Sequence, residues 1–122
     1  MLTPGLVTVT FRRFTREEIC RTAAKAGLPL LEWGGDIHVP HGDPAAAREA
    51  VALTGAYGLR ADTYGSYYRC PPGEDAAPVV RRAEELGVRN VRVWAGTKGS
   101  READAGDRKT TADTLRRFCD IF

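Results

Sequence analysis

The tightest constraint on this chain is a short junction that recurs. Ala26-Gly27-Leu28, Tyr57-Gly58-Leu59 and Leu86-Gly87-Val88 each close a helical pattern on glycine and open an apolar run. Glycine at that point lets a helix stop in the left-handed conformation. The three glycines recur at intervals of roughly 30 residues, the length of one strand-plus-helix unit. Four such units follow one another, over about 5–27, 28–58, 59–87 and 88–122, within a single domain of residues 1–122. Crossovers between parallel neighbours are right-handed, so a sheet that curls into a barrel wall carries all its helices on one side.

Each unit has its own punctuation. Leu6 to Phe11 alternates strictly and predicts a strand, with Val7, Val9 and Phe11 on one face and Thr8, Thr10 and Arg12 on the other. Thr15-Arg16-Glu17-Glu18 is a capping box for a helix that runs to about Ala26. A second strand over Pro29–Trp33 leads into a long polar loop. Asp43 then caps a helix with Pro44 in its first turn, whose inward stripe reads Ala47, Ala50, Val51, Leu53, Thr54 and Tyr57. A third strand, Leu59–Tyr64, precedes a Pro71-Pro72-Gly73 break and a helix over Asp75–Leu86. In the fourth strand, Val88–Ala95, Val91, Val93 and Ala95 alternate with Asn90, Arg92 and Trp94. The last helix runs from about Asp107, with Thr111, Leu115, Phe118 and Phe122 on one side.

Two architectures share this pattern, a doubly wound sheet and half of an eight-stranded barrel. A doubly wound sheet is apolar on both faces. The first and fourth strands here carry one apolar face and one of Thr, Arg, Asn and Trp. That second face suits a barrel interior, so the expected fold is α/β, a parallel (βα)4 half of a TIM barrel.

Composition removes several functions. A net charge of +2 is too small to argue for nucleic acid or an anionic membrane. No apolar run approaches the roughly 20 residues of a membrane span. No basic segment followed by an apolar one opens the chain. Cys20, Cys70 and Cys119 are odd in number and far apart, which points to reduced thiols in a cytoplasmic protein.

The four strand ends gather the polar residues. Arg12 and Arg13 follow the first strand, and Glu32, Asp36, His38 and His41 the second. Tyr64, Ser66, Tyr67 and Tyr68 follow the third, and Trp94, Lys98 and Ser100 the fourth. The carboxyl ends of barrel strands are where such folds keep their chemistry. Aromatic faces cover sugar C–H groups, while carboxylate, His and Arg bond hydroxyls or a phosphate. The structural alternatives are plain: Glu32 paired with Arg12 or Arg92, His38 bonded to a loop carbonyl, and Tyr67, Tyr68 and Trp94 packed into the wall. Asp36, His38 and His41 are suitable metal ligands by type. Val39 and Pro40 stiffen the run between them, so no metal site is expected within this chain. Gly34-Gly35 and Gly96-x-x-Gly99 match neither a P-loop nor a dinucleotide fingerprint.

Four segments resemble the sugar phosphate isomerase/epimerase family, the xylose isomerase-like TIM barrels. They are Leu2–Val7 with Thr10-Phe11-Arg12; Leu31-Glu32-Trp33-Gly34-Gly35-Asp36-Ile37-His38-Val39-Pro40; Tyr64–Arg69; and Val91-Arg92-Val93-Trp94-Ala95-Gly96. The resemblance implies aldose–ketose isomerisation or epimerisation of a sugar or sugar phosphate, by metal-assisted proton transfer beside a carbonyl. It also implies a chain about twice as long. The family's metal ligands, typically two Glu, an Asp and a His, and its acid/base residues lie on strands five to eight. None can be transferred to residues 1–122. What the resemblance transfers is a substrate-side wall, Arg12, Glu32, His38, Tyr68 and Trp94, with the catalytic residues unassigned. This chain alone is then expected to bind no cofactor, while a complete family member would carry a divalent metal such as Mn, Mg, Zn or Co. A truncated, inactive N-terminal half is the first expectation, and a homodimer closing the barrel the second. Other function classes are a non-enzymatic half-barrel for binding or dimerisation, and a metal-dependent abasic-site endonuclease fragment. The latter should have a more basic rim than this one.

Overall fold

The structure, a computed structural model, describes residues 1–122. Four strands, β1 (Gly5–Val7), β2 (Leu30–Gly34), β3 (Arg60–Gly65) and β4 (Asn90–Arg92), alternate with four α-helices. These are α1 (Arg16–Lys25), α2 (Pro44–Ala56), α3 (Ala77–Leu86) and α4 (Ala105–Ile121). The sheet order is β1-β2-β3-β4 and every pair is parallel. This is the (βα)4 half barrel that the junctions predict.

The helix ends follow local chemistry. The Thr15 hydroxyl accepts from Glu18 N–H, and the Glu18 carboxylate accepts from Thr15 N–H at 2.7 Å. Asp43 accepts from the N–H groups of Ala45 and Ala46, with Pro44 in the first turn. Gly27, Gly58 and Gly87 stand at φ of 70°, 68° and 66°. Each of these helices therefore stops where a side chain would be strained.

Ladder partners share a face, so the register defines two walls. Leu6, Leu31 and Ala61 form one row toward the helices; Trp33, Tyr64 and Val91 form the next. They pack against Ile19, Ala23, Ala47, Ala50, Val79, Val80 and Ala83 in one core. Trp33 is fully buried, and its indole N–H donates to the Thr54 hydroxyl at 3.2 Å. The opposite, inner wall carries Val7, Glu32, Thr63 and Asn90 on one level, and Gly34, Gly65 and Arg92 on the next.

Several sequence expectations are corrected here. The first strand ends at Val7, and Thr8–Phe11 is a turn of 3-10 helix. Its faces are also reversed: Val7 lies on the open inner wall and Thr8 is completely buried. Thr8 leaves the strand because its hydroxyl has local partners. It accepts from Gly34 N–H at 2.9 Å and lies 3.1 Å from His38 Nδ1. In α2 the buried stripe is Ala46, Ala47, Ala50 and Thr54, while Val51 is exposed. Small alanines let that helix lie close on the sheet, and Val51 falls one residue outside the contact. On α4 only Thr114 and Phe118 are buried, and Phe122 is exposed.

Candidate functional site

The carboxyl ends of the strands bring two ion pairs and two aromatics together on the inner wall. Arg12, just past the 3-10 turn, holds Asp36 with Nη1 2.6 Å from Oδ2. Arg92 on β4 reaches across β3 to Glu32 on β2, with Nε and Nη2 both 2.8 Å from Oε1. That reach exists because β3 contributes a glycine at the crossing. A Cβ on Gly65 would lie 2.7 Å from both Arg92 Nη2 and Glu32 Oε1. The Arg92 guanidinium stands over the Tyr67 ring, 5.4 Å from its centroid, and Tyr67 lies 6.3 Å from Trp94. Arg69 covers Trp94 at 5.2 Å.

The electrostatics hold both guanidiniums charged. Asp36 raises Arg12 above the ordinary arginine value, by hydrogen bond and by charge, and Tyr67 adds to it. Burial pulls Arg92 down, but Glu32 and then Tyr67 outweigh it and the net shift is upward. A carboxylate at hydrogen-bond distance favours the charged guanidinium.

Of the residues the sequence points to, Arg12, Glu32 and Trp94 lie on this wall. His38 and Tyr68 do not. His38 is buried, and both its ring nitrogens face protein groups: Nδ1 the Thr8 hydroxyl at 3.1 Å, Nε2 the Phe14 carbonyl at 3.2 Å. A carbonyl only accepts, so Nε2 carries the proton and Nδ1 accepts from Thr8. Tyr68 turns to the helical layer, stacks on Phe118 at 5.7 Å and directs its hydroxyl at the Glu74 carbonyl. The wall residue is its neighbour Tyr67. The sequence does not separate the two: β3 ends at Gly65, and Tyr67 turns at positive φ, where strand alternation no longer applies. Tyr67 and Cys70 both adopt positive φ, 59° and 53°. Such conformations cost about 1–3 kcal/mol each and persist only when the surroundings enforce them. His41 is exposed, with its carbonyl taken by Arg82 at 2.9 Å. Cys70 is buried, and burial raises its thiol above the ordinary value, which opposes a nucleophilic role.

His38 makes a measurable prediction. Burial holds its imidazole below the ordinary value; the Phe14 carbonyl and Asp36 oppose that shift, and Arg16 and Arg12 reinforce it. Between the depressed folded value and the unfolded value near 6.5, the unfolded chain binds the extra proton. Stability should therefore fall as pH drops through about 6.5 and keep falling to the folded value. Urea midpoints in a His38→Asn variant should show a flatter slope across that window. An unchanged slope would mean that His38 is solvated.

The fold is a parallel (βα)4 half of a TIM barrel, and solved barrel structures share it. Over 98% of this chain, the probable 3-DHS dehydratase involved in petrobactin synthesis from Bacillus anthracis superimposes with a TM-score of 0.74 at 18% identity. D-psicose 3-epimerase from Clostridium cellulolyticum H10 gives 0.73 at 14% identity over the same share. The 3-keto-D-glucoside 4-epimerase from E. coli gives 0.72 at 17% identity over 99%. The chain spans about half the length of these structures: 48%, 48% and 52%, respectively. No protein-family model and no curated protein matches the sequence. No helix is long and apolar enough to cross a membrane.

Proposed function

We propose that residues 1–122 form the substrate-side wall of an isomerase or epimerase site for a sugar or sugar phosphate. The observation that carries this reading is the joining of Arg12–Asp36, Glu32–Arg92, Tyr67 and Trp94 at the carboxyl ends of four parallel strands. The rings of Tyr67 and Trp94 offer faces to sugar C–H groups. Glu32 and Asp36 accept from hydroxyls, and Arg12 and Arg92 donate to hydroxyl or phosphate oxygens. A half-exposed Trp94 beside a fully buried Trp33 suits a ligand-facing role for the first indole only. Three unpaired thiols suit a reducing cytoplasm.

The divalent metal that the barrel class implies does not fit the residues present. Asp36 is held by Arg12, Glu32 by Arg92, and His38 by Thr8 and Phe14. Nowhere do three His, Cys, Asp or Glu side chains converge as a ligand set. On this wall the chain's own part is to bind and orient. A non-enzymatic binding half-barrel is the second reading, favoured by the same ion pairs, which leave neither wall carboxylate free as a general base. Nothing observed favours an abasic-site endonuclease.

Titration of Trp94 fluorescence with ketoses, aldoses and their phosphates tests the proposal. A saturable response in the millimolar range, about −4 kcal/mol, is expected for a ketose or its phosphate. Trp94→Ala should abolish the optical response, and calorimetry should show at least tenfold weaker binding in Arg92→Ala, with Tyr68→Phe unchanged. No response to any sugar, or calorimetric binding indifferent to Arg92→Ala, would end the reading. Turnover by residues 1–122 alone would exclude the non-enzymatic alternative.

A further inference from the structure

Beyond Trp94 the wall opens into a groove of about 1040 Å³. The segments after β3 and β4 form one side of it, and the first half of α4 the other. The fit between them is local. Gly96 stands at φ 91°, and a Cβ there would lie 2.8 Å from the Thr111 hydroxyl oxygen, so glycine lets the loop after β4 rest against α4. Lys98 then crosses to Asp107, with Nζ 2.9 Å from Oδ1 and 2.8 Å from Oδ2. The Arg108 guanidinium donates back to the Ser100 carbonyl at 3.0 Å. Trp94 belongs to both the wall and the groove, so a ligand lying on its ring reaches either.

The charged side chains of the groove are three cations, Arg69, Lys98 and Arg108, and two acids, Asp104 and Asp107. Asp107 is engaged by Lys98 and by the Asp104 N–H, and Asp104 caps α4 through the Asp107 N–H. Neither Arg69 nor Arg108 joins any ion pair of the chain. The lining therefore keeps a positive excess. Both arginines are exposed, yet each is held. Arg69 stands 5.2 Å over the Trp94 ring, and the Ser100 carbonyl takes only one arm of Arg108. A guanidinium held in this way offers its planar fork with little further loss of freedom. The wall differs. Arg12 and Arg92 already have carboxylates at contact distance, so a phosphate there would meet Asp36 or Glu32 as a like charge.

We propose that this groove is an anion subsite, and that it takes the phosphate of a phosphorylated sugar whose carbon chain lies on Tyr67 and Trp94. The sugar half of this proposal rests on the reading of the wall as a sugar site; the anion subsite does not. Arg69 and Arg108 donate to the phosphate oxygens in charge-assisted hydrogen bonds, with the hydroxyls of Thr97 and Ser100 on the same lining. Arg12 and Arg92 are left to the sugar hydroxyls. The wall then holds the carbon skeleton, and the groove distinguishes the phosphate ester from the free sugar.

Calorimetry of the full chain with a ketose, its phosphate monoester and inorganic phosphate tests this. The ester should bind about tenfold more tightly than the free ketose, as one charge-assisted hydrogen bond supplies. Arg108→Gln should remove most of that gain and leave binding of the free ketose unchanged. Arg69→Gln should weaken inorganic phosphate as well as the ester. Arg89→Gln, an exposed position before β4 at the amino end of the sheet, should alter neither. Inorganic phosphate should displace the ester and leave the free ketose in place. Four results would overturn the proposal: displacement of the free ketose by phosphate, an ester no tighter than the free ketose, a gain that survives Arg69→Gln with Arg108→Gln, or no binding of any phosphate. If no sugar binds but inorganic phosphate does, and Arg108→Gln abolishes it, the anion subsite stands and only the sugar reading falls.

Discussion

Trp33→Ala should cost about 3–5 kcal/mol, the range for truncating a fully buried large aromatic. The indole has no exposed surface, and it anchors β2 to α2 through Thr54. Thr54 in turn donates to the Ala50 carbonyl at 2.6 Å, so the side-chain link passes into the helix backbone. The alanines of α2 are already in close contact with the sheet and have no long side chain that could collapse into the void. Domains of this kind are stabilised by only about 5–15 kcal/mol in total, so the loss approaches the whole margin. Urea denaturation followed by far-ultraviolet circular dichroism would measure it. A loss below about 1 kcal/mol would show that the indole is not part of a tight core.

Gly35→Ala should destabilise the chain by about 1–3 kcal/mol, as overpacking does in a closed interior. The added methyl would lie 2.6 Å from the Tyr64 hydroxyl oxygen, 2.9 Å from its Cζ and 3.1 Å from the Gly65 carbonyl oxygen. None of these can retreat cheaply. Tyr64 is completely buried and donates to the Val39 carbonyl at 2.9 Å, and Gly65 O already accepts from Gly35 N–H at 2.8 Å. Because Asp36 follows directly, the shift would also loosen its pairing with Arg12. Gly42→Ala is the control, since nothing lies within 4 Å of a Cβ there. Equal stability of the two variants would rule out the crowding at Gly35.

These residues also show what a sequence can carry. The helix stops at Gly27, Gly58 and Gly87 were legible because the need for positive φ is local, as were the caps at Thr15 and Asp43. Parallel order followed from repeated units with short junctions. Thr8 departs from the alternation because that pattern describes an isolated strand, whereas its hydroxyl is claimed by Gly34 and His38, far along the chain. The type of side chain puts His38 among the rim candidates, whereas its burial and its two ring partners depend on Thr8 and Phe14, far back in the chain. Tyr67 and Tyr68 fall on opposite walls because the chain turns at positive φ after β3, which residue types alone do not announce. The Glu32–Arg92 pair spans 60 residues and required the sheet order. It was foreseen only as one of two partners for Glu32.

The prior engagement of Arg12 and Arg92 bears on how a ligand would arrive. A guanidinium with a carboxylate at contact distance projects a dipole rather than a charge, and its field dies away within a Debye length of about 8 Å at physiological salt. Those two pairs by themselves give little long-range guidance to an approaching anion. Encounter rates at these two pairs should therefore change little between dilute and concentrated salt, leaving discrimination to the final few ångströms.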